Sequence, residues 1–312
     1  MKSCLDRRSF VTSLATSLGA ATALGALRPA TLLAGSRDAL VAEHLADNLL
    51  LVRGAGANVV VIKDVAGLTF VDGGLAANSA ALLSLAQREL ATKPVRTLIN
   101  THWHREQTGL NQRLGKQGVK IIAHENTRLW LSTTVRYEPD GPPLLPLPVT
   151  ARPNDTTYNS GELKLGDETA RYGYLSQAHT DGDLYVFLTK ANVLVTGGVV
   201  AGNGWPTSDW VTGGWINGTV AGYKTLIDLC NESTRVVTAN GERLYSKGDL
   251  QTERDMLAKL SEQLGKMMRS GFGPADMLAA NPARDYAAKM GDPTQFLTES
   301  FKSMWPRIAP DA

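Results

Sequence analysis

Apolar residues fall in short dense runs along the first part of the chain. Residues 49–53, 58–63 and 68–71 are rich in Leu, Val and Ile and are parted by Gly-containing turns, which predicts a meander of strands. Asp72-Gly73-Gly74 closes the third run, a tripeptide that a plain turn also favours. From 76 to 91 apolar positions recur at helical spacing without breakers. Residues 95–99 and 119–123 are the next strands, and His124-Glu125-Asn126 opens a helix with His124 as a surface or capping residue. Residues 139–153 hold six of the fourteen prolines, which excludes helix and central strand and predicts a long loop across one face. Further strands are expected at 171–175, 184–188, 193–197 and 235–238, and helices at 217–229, 274–280 and 293–305. A long amphipathic helix runs from 248 to 269, with Asp249 as its N-cap.

The first residues read differently. Arg7-Arg8-Ser9-Phe10 precedes a mild Ala/Leu/Gly/Thr run over 12–27 that ends at Arg28-Pro29. Charge, then weak hydrophobicity, is the pattern of a twin-arginine export signal over 1–34; a hydrophobic N-terminal helix of the mature protein is the alternative. The run is too short and too rich in small residues for a good transmembrane span. Export would deliver a periplasmic protein of residues 35–312, a length suited to a single α/β domain. A formal charge of +2 gives no electrostatic case for nucleic acid or an anionic membrane, which leaves a small molecule as the expected partner. Cys4 and Cys230 are the two cysteines, so no internal disulfide framework is expected and Cys230 reads as a buried inert thiol.

Candidate chemistry centres on histidine. His102 and His104 stand one residue apart after the strand at 95–99, and in an extended segment such a pair points the same way while Trp103 points elsewhere. They are a metal-ligand pair or two polar loop histidines. His179 lies in Ala178-His179-Thr180-Asp181-Gly182-Asp183 between two strands. Trp205, Trp210 and Trp215, five apart, are an aromatic wall over a cleft or core residues of an irregular loop.

The stretch Thr101-His102-Trp103-His104-Arg105-Glu106-Gln107-Thr108-Gly109 resembles the His-x-His-x-Asp-His signature of the metallo-β-lactamase superfamily, and the segment around His179 resembles its His-Thr-x-Gly-Asp motif. The resemblance implies a four-layered αββα sandwich with a helical C-terminal elaboration. It implies first-metal ligands at His102, His104 and His179, with Asp72 supporting the metal loop from behind and a proline-rich excursion bordering the substrate cleft. Three histidines with an open fourth position suit a catalytic zinc. The family's second-metal ligands are missing: Glu106 and Gln107 stand for Asp and His, Gly198 for the bridging Asp, Asn240 for the last His. At most one zinc is expected. Two functions follow: a hydrolase in which Glu106 orients or deprotonates water for attack on an ester, amide or lactam-type centre, or an exported pseudoenzyme that binds a ligand or partner without hydrolysis.

Overall fold

A computed structural model describes residues 39–308; the expected leader, 1–34, lies outside them. Strands β1 (Val41–Ala46), β2 (Leu49–Arg53), β3 (Val59–Lys63), β4 (Leu68–Val71), β5 (Val95–Ile99), β6 (Lys120–His124) and β7 (Asp155–Thr157) lie side by side in chain order. β1 to β4 pair antiparallel, and β4 to β7 run parallel. Parallel neighbours need crossovers, supplied by α1 (Ser79–Glu89), α2 (Asn111–Gly115) and α3 (Glu125–Ser132).

The second sheet sets β8 (Ser160–Leu165), β9 (Glu168–Leu175), β10 (Asp183–Leu188), β11 (Val193–Val195) and β12 (Arg235–Val237) in that order. It is antiparallel except for β11 and β12, which are parallel and joined through α4 (Ile216–Leu229). After β12 come α5 (Lys247–Arg269), α6 (Pro274–Ala280), α7 (Ala287–Met290) and α8 (Thr294–Ile308).

Side-chain alternation assigns the layers. Leu49 and Leu51 of β2 meet Val186, Leu188, Val193 and Val195 of the second sheet, forming the core between the sheets. Leu50 and Val52 of the same strand turn outward to Leu82 and Ala86 of α1. Burial on both faces is why β2 reads as a continuous apolar run. The outer face of the second sheet packs under α4, α5 and α8 through Leu194, Val236, Tyr223, Leu257 and Phe301. The architecture is therefore helix, sheet, sheet, helix, as expected. No helix among the described residues is long and apolar enough to cross a membrane.

Several boundaries shift. The helix expected over 76–91 is a 3-10 turn at Ala76–Asn78 followed by α1. Asp249 is not the N-cap of α5: Ser246 is, and Asp249 sits at the third helical position of a capping box, its carboxylate accepting from Ser246 N. β1, β7 and β8 were not expected, being edge strands whose residues are mostly exposed or half-buried. Cys230 is buried and free, and burial pushes its thiol up to about 11.

Candidate metal centre

The centre hangs from strand ends. His102 and His104 follow β5 in a run of bends rather than in the extended segment the period-two argument assumed. They converge because the loop is fastened from beneath. Asp72, at the end of β4 with a left-handed φ of 65°, accepts Thr101 N and Thr101 Oγ1, both at 2.8 Å. Having given its proton to Asp72, the Thr101 hydroxyl accepts from His102 Nδ1 at 3.1 Å. The lone pair of His102 is then on Nε2.

His104 is turned the other way. Its Nε2 donates to Asp209 Oδ2 at 2.9 Å, leaving the lone pair on Nδ1. His179, in the turn between β9 and β10, donates Nδ1 to the Thr207 carbonyl at 2.8 Å, leaving Nε2 free. Asp183 fixes that turn by accepting His179 N, Thr180 N and the Thr180 hydroxyl. Three second partners thus select three tautomers whose bare nitrogens face one another, and the candidate ligand atoms all lie within 4.8 Å. His179 Nε2 and His104 Nδ1 are 3.1 Å apart. With both lone pairs unprotonated that separation is a repulsion, which a cation between them relieves. Two nitrogens on a tetrahedral zinc, with bonds of about 2.0–2.1 Å, stand about 3.3 Å apart.

Charge follows from burial. His102, 1% exposed, is held well below the usual histidine range by burial and by its two histidine neighbours. Burial and the charge of His104 bring His179 down to about 4. Burial acts against His104 too, but the hydrogen bond and charge of Asp209 prevail and raise it. Burial works against Asp209 as a carboxylate, yet His104 and Thr212 hold it at about 2. His102 and His179 are thus neutral and ready to bind metal, while His104, backed by a firm anion, must give up the proton that competes for its Nδ1.

The other half of the site is bare. A Cβ at Gly198 would lie 2.2 Å from His179 Cδ2 and 2.9 Å from His102 Cε1, so the rings fill the space a side chain would need. Gln107 is buried, and its Oε1 has no hydrogen-bond partner. Asn240 is exposed and its amide nitrogen is directed to the carbonyls of Gly56 and Ala239. Glu106 is half-buried beside the trio, where its charge bears on Asp72, His104 and Tyr137.

Asp209 and Tyr137 were missed by sequence reasoning. Asp209 lies in the Trp/Gly-rich stretch, and Tyr137 just before the prolines, whose loop does border the centre: Arg105 donates to Leu145 O. The only sequence signal for Asp209 is Asp-x-x-Thr, for its carboxylate accepts Thr212 N and Oγ1. Among the tryptophans, Trp205 stacks on buried Phe296 at the edge of the helical core, Trp210 lies under Lys302 and Trp215 under Arg307; none of the three is fully buried. Trp103 is the buried one, donating to Thr212 Oγ1. His124 caps α3 by accepting Asn126 N but is buried, not surface, and stacks on Tyr174. A hollow of about 480 Å³ lies apart from the histidines, lined by Trp215, Arg269, Met304 and Arg307 among others.

Two packed mixed sheets, helices outside them and a three-histidine group at the strand ends define an α/β protein of the metallo-β-lactamase architecture. The family profile of the metallo-beta-lactamase superfamily matches residues 52–254, and the chain belongs to that superfamily. Among solved structures, it is similar to a metallo-beta-lactamase from Pontibacter korlensis at 16% identity and TM-score 0.57, covering 70% of this chain and 99% of that one. It is also similar to DIM-1 metallo-beta-lactamase at 17% identity and TM-score 0.56 (71% and 98% covered) and to VMB-1 at 16% and 0.57 (73% and 100%). At these identities the likeness is one of fold. Comparison with curated protein sequences finds no match. The donor set fits the family's zinc at one position: three imidazoles with fixed tautomers, and no anionic side chain at Gly198 to bridge a second ion.

Proposed function

We propose that this chain is an exported hydrolase working through one zinc ion held by His102 Nε2, His104 Nδ1 and His179 Nε2, and acting on ester, amide or lactam-type centres of small molecules. The observation that carries the reading is the convergence of three bare nitrogens whose other ring nitrogens are all engaged. When bound, zinc supplies Lewis acidity, polarising a carbonyl and lowering the pKa of water to about 7. The chain's own residues do the rest. Asp209, Thr207 and Thr101 hold the rings in register, and Asp209 adds negative charge behind His104. Glu106, whose charge already acts on His104, accepts a proton from the attacking water. Arg7-Arg8 and the weak hydrophobic run after them support export.

A second reading, a binding protein without hydrolysis, draws on the orphaned Gln107 Oε1 and on Gly198. The two part in one experiment. Protein stripped with chelator and then reloaded with one equivalent of zinc is assayed on chromogenic lactam and aryl-ester panels. Hydrolysis that returns with zinc and is lost in Glu106→Gln and His179→Ala supports the hydrolase. Zinc uptake with no turnover on either panel favours the binding protein.

A further inference from the structure

Behind His104 lies a second contact that the metal-ligand geometry does not require. The Tyr137 hydroxyl donates to Asp209 Oδ2 at 2.9 Å and stands 3.4 Å from His104 Nε2. That same Oδ2 accepts from His104 Nε2 at 2.9 Å and from Thr212 Oγ1 at 2.6 Å. One carboxylate oxygen thus gathers three donors from three separate segments. Each added donor narrows where Oδ2 can sit, and its position decides which nitrogen of His104 keeps a proton.

Tyr137 is itself held in place. The residue is 40% exposed, yet its hydroxyl is turned inward. The neighbouring Val135 is bridged to Leu144 by two backbone hydrogen bonds, N to O in each direction. Glu138 pairs with Lys302 of α8 at 3.5 Å, and the same Lys302 lies over Trp210, the residue after Asp209. Helix α8 therefore ties together the two segments that carry Tyr137 and Asp209. An outward-facing tyrosine in a loop has no packing reason to direct its hydroxyl at a buried carboxylate. Orientation of a ligand's partner is a reason.

We propose that Tyr137 is a positioning residue for the metal centre, acting through Asp209 to hold His104 in the tautomer that presents Nδ1. The inference rests on the proposed metal role of the three histidines for its effect on affinity, but not for its effect on the tautomer. Replacing an outer partner of a metal-bound histidine costs about 10–100-fold in metal affinity. Tyr137 stands one step further out, so Tyr137→Phe, which keeps the ring and removes only the hydroxyl, should weaken zinc binding about three- to tenfold. Asp209→Ala should weaken it about 10–100-fold. Because Tyr137 acts through Asp209, adding Tyr137→Phe to Asp209→Ala should cost less than about twofold more.

The experiment measures zinc affinity by chelator competition for the full chain and these three variants, and the His104 tautomer by 15N NMR of histidine-labelled protein without metal, at a pH high enough that His104 is neutral. The expected result is the Nε2-protonated form of His104 in the parent, a shift toward the Nδ1-protonated form in Tyr137→Phe, and non-additive affinity losses. Unchanged affinity in Tyr137→Phe would overturn the proposal, as would an equal loss with and without Asp209, the mark of a merely structural loop residue. Should the parent take up no zinc, the proposed function fails, and Tyr137 is judged on the tautomer alone: an unchanged tautomer overturns its role, a shifted one sustains it.

Discussion

Gly198 offers the sharpest perturbation, because the geometry fixes both sign and size. Its backbone is not in the left-handed region; Gly197 carries that conformation, at φ 55°. The constraint at 198 is steric. A methyl group there would meet His179 Cδ2 at 2.2 Å, His179 Nε2 at 2.7 Å and His102 Cε1 at 2.9 Å. Ordinary carbon contacts are about 3.5–4.0 Å, so the His179 ring must retreat by about 1 Å or more. It cannot do so freely, since Nδ1 is tied to the Thr207 carbonyl and the residue is 6% exposed. Overpacking of this kind costs about 1–3 kcal/mol, and metal–ligand distances tolerate only about 0.2 Å. Gly198→Ala should therefore lower stability without metal by about 1–3 kcal/mol in urea unfolding. It should also weaken zinc binding by about 10–100-fold in chelator competition, as disturbing the group that orients a ligand does. An alanine variant with parental stability and zinc affinity would refute the reasoning. Gly198→Asp combined with Glu106→Asp, Gln107→His and Asn240→His faces the same clash, so two-metal binding should not return unless the rings move.

Other expectations follow from charge and sequence. Protons compete with metal for Nδ1 of His104, whose pKa is raised, while His179 stays neutral down to about 4. Zinc affinity should thus fall about tenfold per pH unit below the His104 value, with one proton displaced, not two or three; calorimetry in buffers of different ionisation enthalpy counts that proton. Burial lifts Asp72 and Asp183 to about 7. For an acid raised on folding, the stabilising contribution is full below the ordinary carboxylate value and is lost as pH rises through about 7. His102 and His179, held below the ordinary histidine value, act in the opposite sense over part of that range, so the effect is read as a difference. In thermal unfolding without metal the parent should lose stability relative to Asp183→Asn from about pH 4 to 7, and a parent that gains on the variant would contradict the assignment. Replacing Arg7 and Arg8 with Lys should leave unprocessed precursor in the cytoplasm, and undiminished export would remove the leader from the account.

What the sequence disclosed depended on how many constraints each residue carries. β2, β3 and β4 were legible because burial on both faces imposes unbroken apolar runs. β1, β7 and β8 were not, since an edge strand with one wet face has few positions that must be apolar. His102, His104 and His179 were legible through spacing and local motif. The residues that orient them divide sharply. Asp72 and Asp183 sit within the motif-bearing turns and could be read there. Asp209 and Tyr137 could not: Asp209 lies 105 residues from His104, Tyr137 lies 33, and both stand in irregular segments without period. The conformation of the metal loop was misjudged for a related reason. Period two describes a strand, and Asp72 holds this loop in bends instead.

The central claim is that one metal ion, and one only, belongs to this chain. The direct measurement is elemental analysis of the full protein after loading with excess zinc and removal of weakly held metal, alongside His104→Ala. One zinc per chain, absent from the variant, is the expected result. A plateau at two, or zinc retained without His104, would contradict it, and so would a parent protein that emerges with none.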